Sequence, residues 1–217
     1  MIPSDKIKDA EALESYRLML KKAENHPDIA KALDGMGYTS EKLKEGIEVL
    51  RSTREIYDAN SRKKDDLSIH YRAFSRKKKA VEQTHRMHRK KARILSRNDA
   101  DMERRLAIKG PYPTKYFLWM ENLRKFYSEA AGDPRLQEKL MQLRLTKKDI
   151  DQGLEDIATL EEMYARYKLL IGESKQSTVD KKKAFKHLHV WMIDFYAVAR
   201  MALKKNPELL DALHSAN

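Results

Sequence analysis

The sequence contains no cysteine, and it has only 7 glycines and 6 prolines among its 217 residues. Without cysteine the chain has no disulfides, no thiolate metal sites and no cysteine nucleophile. So few glycines and prolines are atypical of a sheet protein, which needs turn residues every ~8 to 12 positions. With 36 % of residues charged, the composition instead predicts an all-α fold of long helices with charged surfaces.

Long hydrophobic runs are also missing. No apolar run approaches the ~20 residues needed to cross a bilayer. The first residues, Met1 to Lys6, do not form the apolar core of a signal peptide. Together with the absence of cysteine, these features predict a cytoplasmic protein with no membrane partner.

The two halves of the sequence match each other at an offset of 107 residues. Ten identities fall among the 45 positions from 13 to 57, well above the ~5 to 6 % expected by chance. The identities predict a helical bundle of two tandem repeats of about 107 residues with pseudo-twofold symmetry, repeat 1 in 1–110 and repeat 2 in 111–217, docked as one compact unit. The matched pairs are Glu14 and Glu121, Arg17 and Arg124, Ala23 and Ala130, Pro27 and Pro134, Leu33 and Leu140, Thr39 and Thr146, Gly46 and Gly153, Glu48 and Glu155, Glu55 and Glu162, and Tyr57 and Tyr164.

The pattern of each repeat predicts a long helix, a short helix and two further long helices. With one more short helix at the end of each repeat, the chain is predicted to have six long and four short helices. Pro27 and Pro134 begin the short helices, because proline suits the first helical position. Asp149, three residues after Thr146, predicts a reciprocal helix cap. An interruption is expected at 172–177, before the last long helix of repeat 2.

Aromatic residues at helical spacing, including the paired Tyr57 and Tyr164, favour core packing over a ligand pocket. Gly46 and Gly153 lie inside predicted helices, where glycine costs up to ~1 kcal/mol relative to alanine. Close approach of two helices is therefore expected at both positions.

The net charge of +12 is concentrated in residues 62–97, which carry 14 basic residues against Asp65, Asp66 and Glu82. This basic helix, predicted from about Asp66 to Arg97, makes phosphate binding physically plausible. Against sequence-specific recognition, no turn-and-helix reader, stacking module or metal module accompanies it. The predicted phosphate-contacting residues are Arg72, Arg76, Lys79, Arg86, Arg89, Lys90, Arg93 and Arg97.

The interpretation that we prefer for the basic helix is a solvated surface. Glutamates of neighbouring helices would then neutralise it. A role at a membrane surface is disfavoured, because no strong apolar face opposes the charges. The candidate neutralising residues are Glu41, Glu45, Glu48, Glu155, Glu161 and Glu162.

Glu82 and His85 form the i, i+3 pair that di-iron helical bundles use, but the duplicated positions hold Lys186 and His189 and supply no second carboxylate. The histidine pairs His85 with His88 and His187 with His189 favour surface or boundary positions over metal ligation. No phosphate-binding glycine loop or serine nucleophile motif occurs. The sequence therefore predicts no catalytic, cofactor-binding or metal-binding residue, and no cofactor.

The segments Pro27 to Gly46 and Pro134 to Gly153 share a proline, spaced leucines, a threonine and a glycine. They resemble a pattern in an uncharacterised prokaryotic family of tandem-duplicated helical proteins of unknown function, and Ala199 to Leu213 is similar to the endings in that group. The resemblance covers nearly the whole chain. It implies a helical fold and no assigned activity, and the basic helix departs from the family's more neutral pattern.

Three functions follow from the sequence, in order of preference. The first is a non-enzymatic intracellular interaction or scaffold module with a protein partner or self-association. The second is sequence-nonspecific nucleic-acid binding through the basic helix, 62–97. The third is a metal- or cofactor-dependent enzyme. No small-molecule partner is indicated.

Overall fold

The computed structural model describes residues 5–214, with side chains described from residue 8 to residue 213. Every regular element in 5–214 is an α-helix, which confirms the all-α prediction. Residues 1–4 lie outside the described range. The expectation that Met1 to Lys6 form no signal-peptide core therefore concerns, in part, residues that the structure does not describe. The helices are α1 Asp5–Asn25, α2 Pro27–Asp34, α3 Ser40–Leu95, α4 Ala100–Arg105, α5 Tyr116–Gly132, α6 Pro134–Met141, α7 Lys147–Ala202 and α8 Pro207–His214.

The two longest helices, α3 and α7, each run for 56 residues. The prediction of six long helices is therefore wrong for the described residues, which contain four long and four short ones. The expected interruption at 172–177 is absent, since α7 continues through it. The single glycine in this stretch, Gly172, costs only ~1 kcal/mol of helix stability relative to alanine, which is too little to end the helix. No proline occurs in α3 or in α7.

The starts of the short helices follow the sequence signals. Pro27, Pro134 and Pro207 are the first residues of α2, α6 and α8. The reciprocal cap before α7 is also confirmed: the Thr146 backbone N–H donates to the Asp149 carboxylate at 2.8 Å, and the Asp149 backbone N–H donates to the Thr146 hydroxyl at 3.2 Å. These caps satisfy amide donors that have no partner inside the helix.

The chain divides into two compact units. The first unit takes in residues up to Asp65 together with those from Gly172 onward, and the second unit is the continuous stretch Asp66–Ile171. Each unit thus combines helices from both predicted repeats. The unit borders do not coincide with the repeat boundary near residue 110, so the division into sequence repeats remains a prediction.

The core of the first unit joins α1, α2 and the beginning of α3 to the end of α7 and α8. Leu33 and Phe195 are fully buried there. The Trp191 ring stacks on Phe195 at a centroid distance of 5.6 Å. It also lies against Gly46, where an added Cβ would overlap the ring. Gly46 therefore accommodates an aromatic side chain rather than the close helix backbone we expected.

The core of the second unit is built around α5, whose Trp119, Phe126 and Tyr127 are all buried. The Tyr127 ring occupies the space where Gly153 lacks a side chain, so both helical glycines have the same physical explanation. Tyr57 and Tyr164 each pack against a core, which confirms their predicted positions.

Candidate functional site

The second part of α3 and the turn after it carry six cations, which we call the basic face; five of them lie in α3, and Arg97 lies just beyond its end. An α-helix turns through about 100° per residue, so the five positions in α3 fall within an arc of about 80°. They extend over about 27 Å of helix, from residue 72 to residue 90, at the usual rise per residue. The residues of the basic face are Arg72, Arg76, Lys79, Arg86, Lys90 and Arg97, and all six are exposed.

Most charges of the basic face have no counter-ion. Among the described residues, all of its members except Arg86 make neither a hydrogen bond nor an ion pair. Arg86 is bound to Glu82, its Nη2 lying 2.7 Å from Oε1, and its guanidinium lies 3.8 Å from the centroid of the Tyr112 ring. Glu82 is the only acidic residue between positions 67 and 97. The face is therefore a strip of positive charge that the rest of α3 leaves uncompensated.

Two of the eight predicted phosphate-contacting residues bind backbone carbonyls, and only one of them, Arg93, remains exposed. The Arg89 side chain is buried, with 5 % exposed, and its Nη2 donates to the carbonyl oxygens of Lys109 and Gly110 at 3.2 and 3.0 Å. Burial, and then the charge of Arg93, lower the pKa of Arg89. Arg93 donates from Nε to the Ile108 carbonyl at 2.6 Å and also binds the Gly110 carbonyl. Both arginines hold the segment after α4 instead of facing solvent with free donors.

The histidines of α3 lie opposite the basic face. His85 and His88 are buried, so the expectation of surface or boundary positions is wrong for this pair. The His85 Nδ1 is 3.0 Å from the Tyr112 hydroxyl, which accepts a hydrogen bond from the Trp119 indole at 2.7 Å. Val81 shares their buried side of the helix, and this explains their inward position. His187 and His189 are exposed, as expected.

The protonation of His85 is strongly disfavoured. Burial, and then the charges of Arg89 and His88, lower the pKa of His85 to about 3. Burial also lowers the pKa of His88, whose Nδ1 lies 3.0 Å from the Tyr127 hydroxyl. Both rings are therefore neutral near pH 7 and act as polar parts of the core.

The arrangement around Glu82 and His85 does not resemble a metal site. Glu82 is engaged by Arg86, as described above, and His85 faces Tyr112 rather than a carboxylate. Across the described residues, no group of three or more histidines and acids lies close enough to hold a metal ion.

The glutamates expected to neutralise the basic helix do not contact its eight predicted residues. Glu45 binds Lys42, Glu48 binds Arg51, and Glu161 binds Arg124. Among the described residues, the one acid that pairs with any of the eight is Glu82, on α3 itself. Acids of α7 do neutralise two other cations of the 62–97 segment, since Asp156 pairs with Lys77 at 2.7 Å and Glu173 pairs with Lys63 at 2.8 Å. The described side chains of neighbouring helices provide no such neutralisation for the basic face.

A shallow, open groove of about 550 Å³ lies at the start of the basic face, and all of its lining residues belong to α3. The Tyr71 side chain is 49 % exposed and Ile69 is 65 % exposed, so the groove combines apolar surface with charge. Sequence reasoning missed both residues, although Tyr71 directly precedes Arg72 and an aromatic beside a basic residue is a usable signal. The groove is lined by Ile69, Tyr71, Arg72, Ser75, Arg76 and Lys79.

The first unit has a different exposed surface on α7. Val190, Ile193, Ala197 and Met201 are exposed and fall on one side of the helix, which we call the apolar stripe. A groove of about 410 Å³ between α1 and α7 adjoins it and includes Tyr16 and Met192. Exposed apolar surface of this kind is typical of a contact with another protein.

No helix in the described part of the chain is long and apolar enough to span a membrane. Searches of protein-family models, curated proteins and solved structures find no match to this chain. The resemblance to a prokaryotic duplicated family accordingly remains an expectation, and the function has to be argued from the two surfaces.

Proposed function

We propose that the protein is a non-enzymatic interaction module that binds the phosphate backbone of nucleic acid through the basic face, without reading base sequence. The observation that carries the proposal is the set of five exposed cations that have no partner among the described residues. Phosphate contacts position a protein on nucleic acid without specifying sequence, and a straight row of cations suits that role.

The length and continuity of the basic face support a linear polyanion over a small anion. Its cations in α3 are spread over about 27 Å, whereas a single phosphate would need donors that converge on one point. Arg89 and Arg93 belong to the fold in this proposal, because their guanidinium groups are occupied by backbone carbonyls.

The salt dependence of binding tests this function. Each phosphate neutralised on a single strand contributes about −0.7 to the slope of log K against log salt concentration, so five free cations give a slope of about −3.5. Binding would be measured by fluorescence anisotropy of a labelled oligonucleotide between about 50 and about 200 mM salt. Replacing Arg72, Arg76 and Lys79 together by alanine should weaken binding and reduce the slope by about 2.

A charge-matched control separates the face from general basicity. Lys182, Lys183 and Lys186 are exposed on α7 and have no described partner. Replacing these three by alanine removes the same net charge, and it should leave most of the affinity in place. No binding at low salt, or equal losses in the two triple variants, would contradict the proposal.

The apolar stripe favours a second candidate function, association with a protein partner or with a second copy of the chain. Val190 and Ile193 expose about half of their surface on the same side of α7, and such a stripe buries apolar area only in a contact. Light scattering tests self-association: a molar mass above that of one chain, lowered by Ile193→Lys, would support it.

We further propose that the chain is a tandem duplication with pseudo-twofold symmetry. In support, α2 and α6 begin at Pro27 and Pro134, and α4 and α8 at Ala100 and Pro207, each pair 107 residues apart. The equal lengths of α3 and α7 agree with this origin. A cytoplasmic location is part of the same proposal, and the absence of cysteine supports it.

A further inference from the structure

We infer that the groove at the start of the basic face binds single-stranded nucleic acid, with one base stacked on Tyr71 and the adjoining phosphates on Arg72, Arg76 and Lys79. This inference rests on the proposed function and names its ligand more closely. The inference depends on one observation: the half-exposed Tyr71 ring lies in the same groove as three cations that have no described partner.

The Tyr71 ring is supported from behind by other aromatic rings. It contacts Tyr167 with centroids 5.3 Å apart and planes inclined at 37°. Tyr167 in turn stacks on Phe74 at 6.0 Å with an angle of 13°, and Phe74 is buried in the core. A ring held in this way loses little conformational entropy when a base stacks on its exposed surface.

The exposed surface of Tyr71 distinguishes single strands from duplexes. In a duplex each base is covered by its neighbours above and below, whereas an unpaired base offers its flat surface to an aromatic side chain. Ile69, which is 65 % exposed, adds apolar area in the same groove. Charge alone would suit any polyanion, so the ring and its apolar neighbour are what favour a base-bearing strand.

The groove also has the polar groups that a sugar-phosphate backbone requires. Arg72, Arg76 and Lys79 recur every three or four residues, so they form a row along the helix axis. Tyr71 lies about 100° around the helix from Arg72, at the side of this row. Ser75 adds a hydroxyl between them. A strand that begins at Tyr71 can therefore continue along the rest of the basic face toward Arg97.

The test uses the full chain and compares three probes of one length, which differ in whether they carry bases and in whether those bases are paired. A labelled thymidine strand of about twelve nucleotides, an abasic strand of the same length and a duplex of the same length are titrated by fluorescence anisotropy. The thymidine strand should bind at least about fivefold more tightly than the abasic strand. Tyr71→Ala should abolish this difference, and Tyr71→Phe should retain it.

The outcomes separate the two proposals. The salt slope should be the same for Tyr71→Ala and the unmodified chain, because the substitution removes no charge. Equal affinity for thymidine and abasic strands, a preference for the duplex, or an undiminished thymidine preference in Tyr71→Ala would overturn base stacking while leaving phosphate binding intact. No binding of any of the three probes at low salt would overturn phosphate binding itself. Thermal unfolding of both Tyr71 variants checks that the fold persists.

Discussion

His85 is a titratable side chain that the fold keeps neutral at a position surrounded by positive charge. Its buried ring lies near Arg89, Arg86 and His88, and its only described hydrogen-bond partner is the Tyr112 hydroxyl. The imidazole Nε2 is buried without a hydrogen-bond partner among the described residues. An imidazolium there would face both desolvation and like-charge repulsion.

A loss of stability in mild acid follows from this position. The pKa of His85 is about 3 in the folded protein, against ~6.5 in an unfolded chain, so the unfolded state binds the proton more readily as the pH falls below ~6.5. The contribution of the neutral His85 ring to the free energy of unfolding is fully present above pH ~6.5 and is lost as the pH falls toward ~3. Between pH 7 and pH 5, His85 should lower the free energy of unfolding by on the order of 2 kcal/mol, measured by urea titration.

The pH interval and one variant separate the effect of His85 on stability from the effects of other titratable groups. The carboxylates with lowered pKa values, among them Asp99 and Asp149, affect stability mainly below pH ~4. His85→Phe keeps an aromatic ring and should show a smaller pH dependence than the unmodified chain, with His88 left as the remaining contributor. A free energy of unfolding that is flat from pH 7 to pH 5 would contradict the buried neutral ring.

Local signals at single residues could be predicted from the sequence, and distant partners could not. The Thr146 and Asp149 cap needs only three residues of chain and was predicted correctly. The burial of His85 depends on Tyr112, which is 27 residues away, and on Phe126. The spacing of four residues from Val81 was a signal for the buried side of the helix, but the charged residues around position 85 favoured a surface position. This is why the position of His85 was predicted wrongly.

At the scale of one element, α7 contains two glycines in opposite surroundings. Gly153 carries the Tyr127 ring where a methyl group would lie, whereas Gly172 has no atom within 4 Å of that position. Both are helical, so alanine should improve the helix backbone at both positions by up to ~1 kcal/mol. Only at Gly153 does a steric penalty oppose the gain.

The two alanine substitutions should therefore have opposite signs. Gly172→Ala should raise the free energy of unfolding by about 0.5 to 1 kcal/mol. Gly153→Ala should lower it by about 1 to 3 kcal/mol, because the buried Tyr127 ring has to move. Urea titration of both single variants gives the measurement. Destabilisation by Gly172→Ala would mean that the chain is not helical at 172.

Helix starts could be read from the sequence because proline and capping side chains act within one turn. The continuity of α3 and α7 could not. The polar stretch around Gly172 and Ser177 looked like a break, yet Ser177 and Thr178 lie near the buried Asn60 amide, which donates to their hydroxyls at 3.3 and 3.1 Å. A contact with a residue more than a hundred positions away thus explains polar residues that we interpreted as a loop.

At the scale of the whole molecule, the two units differ in how their cores are encoded. The buried core of the second unit runs from Phe74 to Leu160 and lies within one continuous stretch of chain. The core of the first unit needs residues 13–57 and also Leu188, Phe195 and Leu213. One core is therefore contiguous in sequence and the other is not.

Fragments should reflect this difference. The fragment 66–171 should unfold cooperatively in urea and retain a near-ultraviolet signal from the buried Trp119, since it contains its entire core. The fragment 1–110 should show no cooperative transition, because it lacks the partners of Leu20 and Leu33 on α7. Cooperative folding of 1–110 alone would instead favour the sequence repeat as the independent folding domain.

The repeat pattern predicted the order of helices but could not predict these units. Matching residues such as Gly46 and Gly153 indicate a common origin of the two repeats. They do not show which residues pack against each other, because that depends on how far α3 and α7 continue as helices. Because both helices are continuous, each carries chain from one unit into the other. The basic face was foreseen for the opposite reason, since its charges are local and need no partner to be recognised.

Because the first unit is built from two separate stretches of chain, it cannot complete its core until late in synthesis. The second unit is complete once residue 171 has left the ribosome, but α1 and α2 must wait for Leu188, 123 residues beyond Asp65. At about 5 to 20 residues per second that wait lasts roughly 6 to 25 seconds. During that time α1 and α2 can pack against each other and against the start of α3, but the part of their core that α7 and α8 supply is missing. The middle of the chain therefore completes its core first, and the two ends complete theirs last.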